Sequence, residues 1–151
     1  MLRPLILLIE EPEGVSAEAL GWLCRLLVVR SCGHLEQTVK HCLRGYVQEK
    51  SGGYVRSFSL TWLEKSRNPT PDALSGVLGR FDMSLSDDWI AFLAENDSLL
   101  HDDLSALVNM RNRIAHGENE GLKRERALKL AYSTLAIADW WITSFNPLQR
   151  F

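Results

Sequence analysis

The chain has 151 residues, a length that fits one domain better than two. Hydrophobic residues make up 46% and charged residues 24%, ordinary for a folded protein, so disorder and collagen-like repeats are excluded. Seventeen Lys and Arg stand against nineteen Asp and Glu, a net charge of −2, which excludes a globally basic nucleic-acid coat but not a small basic site.

Residues 1–15 read as an N-terminal segment, and the alternation in its first ten residues allows an extended strand. Its apolar run, Leu5 to Ile9, falls far short of the ~20 residues a membrane-spanning helix needs. Glu10 and Glu11 follow it without a small-residue cleavage site, a poor signal peptide. Ser16 is suited to cap a long helix from about Ala17 to Gln48, in which Leu20, Leu23, Cys24, Leu27, Val28, Leu35, Val39 and Cys42 recur at helical spacing. Trp22, Leu26 and Val29 form a second apolar stripe, so this helix is expected to be covered on more than one side. Cys24, Cys32 and Cys42 all fall on it, roughly 12 Å or more apart at a rise of about 1.5 Å per residue, too far for a disulfide. No C-x-x-C pair offers a zinc framework. The expectation is a cytoplasmic protein with no membrane segment, no metal and no cofactor.

Ser51-Gly52-Gly53 ends the long helix, and Tyr54 to Lys65 reads as another. Arg67 to Asp72 is loop, because Pro69 and Pro71 bias the residues before them away from helix. Thr70 caps a short helix with Pro71 in its first position, carrying Leu74, Val77, Leu78 and Phe81. A further short helix is expected after Ser86, with Trp89, Ile90, Phe92 and Leu93. Another runs from about Leu100 to His116, closed by Gly117. The last covers about Leu122 to Phe145. The fold class is all-α, a bundle with a long first helix and additional short ones, spanning 1–151 as a single domain.

The pattern breaks within Leu104 to Gly117. Leu104, Leu107, Val108, Ile114 and Ala115 share a helix face whose centre is Arg111, where a leucine would be expected. Asn109, Asn112 and His116 lie along one edge of that face. An unpaired buried guanidinium costs several kcal/mol, so Arg111 must meet a carboxylate, a ligand anion or a subunit interface. As a structural residue it would be tied to an acid, and Glu36 or Asp139 could serve. His116 beside Gly117 could equally be a helix cap, where a cation is favoured by ~0.3–1 kcal/mol.

With Arg111-Asn112-Arg113-Ile114-Ala115-His116 closing a helix before a glycine, the chain resembles the HEPN superfamily, whose signature is Arg, a polar residue, then His a few positions on. Arg30 to Glu36 and the Asn68-Pro69-Thr70-Pro71 loop resemble its RiboL-PSP branch, and the resemblance spans roughly Trp22 to Phe145. It implies a metal-independent endoribonuclease, a toxin or phage-defence effector. RNA is the implied substrate, and the implied partners are a second copy of the chain and a cognate antitoxin or regulator. In HEPN toxins paired with nucleotidyltransferase antitoxins a Tyr stands two residues past the His. Here that position is Glu118, which argues against control by tyrosine modification at that spot.

The chemistry fits these residue types. RNA supplies its own nucleophile, the 2′-OH, and His116 offers an imidazole, a side-chain type suited to proton transfer. Arg111 suits the charge that builds on phosphorus, and Asn112 can orient phosphate or imidazole. Asn109 and Arg113 are candidates for contacting the RNA backbone, and Glu36 for supporting Arg111. One His cannot readily be both acid and base in a turnover, which a two-fold dimer with two Arg111/His116 sets resolves. The alternative is a catalytically silent HEPN module that binds RNA, a nucleotide or a partner protein; a purely structural bundle is a third reading. His101-Asp102-Asp103 is a weak metal candidate at a helix N-terminus, and Lys123, Arg124 and Arg126, interleaved with acids, read as a solvated face.

Overall fold

The structure, a computed structural model, describes residues 2–65, 67–118 and 121–146. Six helices occur among the described residues, with no strand: α1 (Arg3–Glu10), α2 (Ala17–Lys50), α3 (Gly53–Leu63), α4 (Pro71–Phe81), α5 (Met83–Ala115) and α6 (Arg124–Ser144). None of them is long and apolar enough to cross a membrane.

The N-terminal segment corrects the sequence reading. Residues 3–10 are helix, not extended chain, with Pro4 in the first turn, where its missing N–H is no loss. Ile6 and Ile9 turn inward while Leu7 and Leu8 stay exposed, and the Tyr132 hydroxyl donates to Glu10, tying α1 to α6. Ser16 caps α2 by accepting from the Ala19 amide at 3.1 Å, and α2 packs most extensively on α6. Leu27, Val28 and Leu35 from α2, Leu104 and Leu107 from α5, and Leu130, Ile137 and Trp141 from α6 form the centre of the core. Among the described residues the second stripe of α2 stays largely uncovered: Trp22 is 57% and Leu26 47% exposed.

Thr70 caps α4 as its sequence suggests, accepting from the Ala73 amide at 3.2 Å. Helix α5 begins earlier than the expected start after Ser86. Asp82 accepts from the Ser84 amide at 2.8 Å, and Ser86 is buried instead, sharing a 2.7 Å hydrogen bond with Ser75 of α4. The gap expected between the Trp89 helix and the Leu100 helix is a left-handed turn, with Asn96, Asp97 and Ser98 at φ of 52°, 56° and 61°. Asn and Asp tolerate this region because their short polar side chains can bond locally.

The second half of α5 is fixed on α6 by a buried acid. Asp103 is 1% exposed, accepting from Ser133 Oγ at 2.6 Å and Arg126 Nη1 at 2.9 Å, with Lys129 Nζ at 3.5 Å. This anchor is two helical turns before Arg111.

Candidate active site

Arg111 leaves the apolar face of α5 and crosses to α2. Its Nη2 donates to Glu36 Oε1 at 3.1 Å and to Asn68 Oδ1 at 2.6 Å. Of the two acids the sequence offers, Glu36 therefore meets it. Both bonds use one nitrogen, while Nε is buried without a hydrogen-bond partner. The pair is neither sunk in the core nor free in water, with side chains 25% and 24% exposed. Behind it, Cys32 Sγ approaches Glu36 Oε1 at 3.8 Å. Burial pushes the Cys32 thiol up to about 11 against the opposing pull of Arg111, so this sulfur stays protonated at neutral pH.

His116 ends the helix. Its backbone amide donates to the Asn112 carbonyl at 3.1 Å, the Gly117 amide closes on Ile114 at 3.0 Å, and Gly117 takes φ of +78°, a conformation glycine adopts without strain. The imidazole is exposed, and among the described residues no hydrogen bond joins it to Arg111. Asn112, one residue after Arg111, is half-buried, and Asn109, two residues before it, is exposed. Arg113 points elsewhere, its Nε paired with Glu118 at 3.0 Å on the surface. Glu118, two residues past His116, thus neutralises a neighbouring Arg. The fold brings together Arg111, Glu36 and Asn68, keeps Asn112 and His116 at the same helix end, and separates Arg113 from them.

Other candidates resolve into structure. In His101-Asp102-Asp103, Asp103 turns into the core while His101 Nδ1 sits 3.3 Å from Asp102 on the exposed side. Arg126 is engaged by Asp103, and Arg124 is half-buried with its Nε out of contact with solvent. Asn68 is missed by sequence reasoning as a site residue. Its only signal is its place in the proline-bracketed loop, and the contact with Arg111 spans 43 positions.

A helical bundle that sets a half-buried Arg, an Asn and an exposed His near one helix end fits a HEPN-type domain, a class often nuclease- or RNA-related. The family model described as RiboL-PSP-HEPN matches residues 4–139, and the chain belongs to that family. No curated protein and no solved structure matches it.

Proposed function

We propose that this protein is a metal-independent endoribonuclease acting as a toxin or phage-defence effector. His116 removes the proton from a 2′-OH, which attacks the adjacent phosphorus. The P–O5′ bond breaks, and the leaving oxygen takes a proton from the second imidazole of a dimer. Arg111 holds the developing phosphorane charge, and Asn112 orients the phosphate. The observation that carries this reading is the Arg111 guanidinium, steadied at one nitrogen by Glu36 and Asn68 with the buried Nε unengaged. Asn109, exposed on the same edge, is the nearest further contact for the RNA backbone, and Arg113 contributes only if Glu118 releases it.

A homodimer is part of the proposal. Trp22, Leu26 and Val29 are exposed at spacings of four and three, and the same face of α2 continues through Gly33 to Glu36. A second copy seated there lies beside the motif. A cognate antitoxin or regulator would act by covering the same end.

The test is cleavage of RNA in EDTA, expected to leave 2′,3′-cyclic phosphate and 5′-hydroxyl ends, by a particle of twice the 17.1 kDa chain mass in light scattering. His116→Ala should lose cleavage while its helical circular dichroism and melting stay unchanged. Equal cleavage by both proteins removes His116 from the mechanism, and a fully active monomer removes the shared cleft. A second reading, a silent module that binds RNA, a nucleotide or a protein, is favoured by the Arg111–Glu36 pair, which neutralises the cation. It predicts binding without cleavage in the same assay.

A further inference from the structure

Next to the Arg111 cluster, α2, the end of α3, the proline-bracketed loop and α4 enclose a cleft of about 170 Å³. Its floor is apolar, with Leu43, Leu63 and Leu74 buried there, and its rim carries Lys40, Lys65 and Arg67. Glu36 lines it too, so the cleft and the Arg111 cluster share a wall. The acids close by are occupied. Glu36 is held by Arg111 and Glu64 by Arg44 at 3.4 Å, while Asp72 lines a different hollow on the other side of α4. Among the described residues Lys40 and Lys65 make no ion pair, and the Arg67 guanidinium is steadied 4.2 Å over the Trp62 ring. In a chain of net charge −2, this rim therefore carries cations that no acid among the described residues neutralises.

Size and lining select the occupant. Sites for whole drug-sized ligands run ~300–1,000 Å³, so this cleft admits one ring-sized group. An apolar floor under a cationic rim matches a nucleobase whose own phosphate stays at the mouth. We propose that the cleft seats one base of the RNA strand beside the scissile phosphate, with Lys40 and Lys65 on the flanking phosphate, making these residues determinants of where the strand is cut. The proposal rests on the reading that Arg111 faces the scissile phosphate.

The experiment uses uncleavable 2′-O-methyl octamers of A, C, G and U, labelled with fluorescein, and reads binding by anisotropy. For the tightest octamer, Lys40→Glu/Lys65→Glu should weaken binding at least ten-fold. It should also flatten the slope of log K against log salt by about 1.4, the value for two lost contacts on a single strand. Lys50→Glu, about 15 Å further along α2, should stay within two-fold of wild type. Abasic replacement at one position should weaken wild-type binding at least ten-fold, and at the others much less. Circular dichroism checks that the variants fold. Wild-type binding by the double variant overturns the proposal, as does octamer binding too weak to detect. Abasic tolerance at every position overturns the base subsite as well. Because nothing is cleaved, the outcome is separable from the nuclease reading: binding lost in the double variant without wild-type cleavage leaves the subsite standing, and cleavage with unchanged binding removes the subsite alone.

Discussion

Removing Arg111 tests what holds α5 to α2. At the 3.1 Å separation of Arg111 and Glu36 the Coulomb attraction is about 5 kcal/mol for an effective dielectric of about 20. Desolvating two charges that keep only 25% and 24% of their exposure offsets much of that gain. The net coupling should lie above that of an exposed surface pair, at ~1–2 kcal/mol. Arg111→Ala also strands Glu36 and loses the packing of the Arg stem, so we expect a loss of about 2 kcal/mol, a fall of ~4–8 °C in Tm for a chain this long. Glu36→Gln keeps an acceptor for Nη2 and should cost about 1 kcal/mol. A double-mutant cycle by thermal or urea melting reads the coupling directly. Activity separates the roles: Arg111→Lys should lower RNA cleavage at least ~10-fold, because a Lys cannot present parallel donors to phosphate. Glu36→Gln should retain most activity, since the guanidinium stays in place. A coupling below ~0.3 kcal/mol, within the noise of additivity, refutes the account of how Arg111 is held. An Arg111→Lys chain that cleaves like wild type refutes its assignment to the phosphate.

Asp103→Ala should lower Tm by roughly 5–15 °C, from a loss of ~2–4 kcal/mol, because it leaves the buried Ser133 hydroxyl without its acceptor and frees Arg126. A fall under ~2 °C in a melting scan shows the anchor to be dispensable. Cys32 should alkylate about 100-fold more slowly at pH 8 than a thiol at the ordinary value of 9.0, given its shift to about 11. The sign is that of a group deprotonating late, so the rate should still rise ~ten-fold per unit above pH 9, where an ordinary thiol levels off. A plateau at pH 9 by mass-mapped labelling contradicts the burial argument.

Much of this architecture is legible in the residues. Thr70-Pro71 fixes the start of α4, and the spacing of Leu27, Val28 and Leu35 fixes the buried side of α2. The interruption at Arg111 announces itself because a guanidinium cannot sit alone on an apolar stripe, and Glu36 was among the acids the sequence could offer. What stays hidden depends on tertiary partners. Helix α1 has eight residues, too few for periodicity to separate helix from strand, and it is held by packing of Ile6 and Ile9. Which acid of Asp102-Asp103 turns inward is decided by Ser133 and Arg126 on α6. Asn68, Lys40, Lys65 and Arg67 share one corner only because the loop after α3 folds back on α2, a closure with no local signature.

The geometry of the Arg111 contact bears on whether the pair is only a strut. An Arg kept solely to tie two helices gains most by laying its planar fork on both oxygens of a carboxylate, two parallel bonds with each donor used. Here one nitrogen serves both Glu36 and Asn68, and a single carboxylate oxygen receives it. Among the described residues the buried Nε has no acceptor, and a buried donor without one costs free energy. Asn68, a neutral acceptor, steadies the guanidinium without cancelling its charge. The same loop places Arg67 on the cleft rim, so the element that positions Arg111 also supplies a cation beside it. A strut has no use for a second cation at its side, whereas an anion brought between Arg111 and the rim would meet both charges.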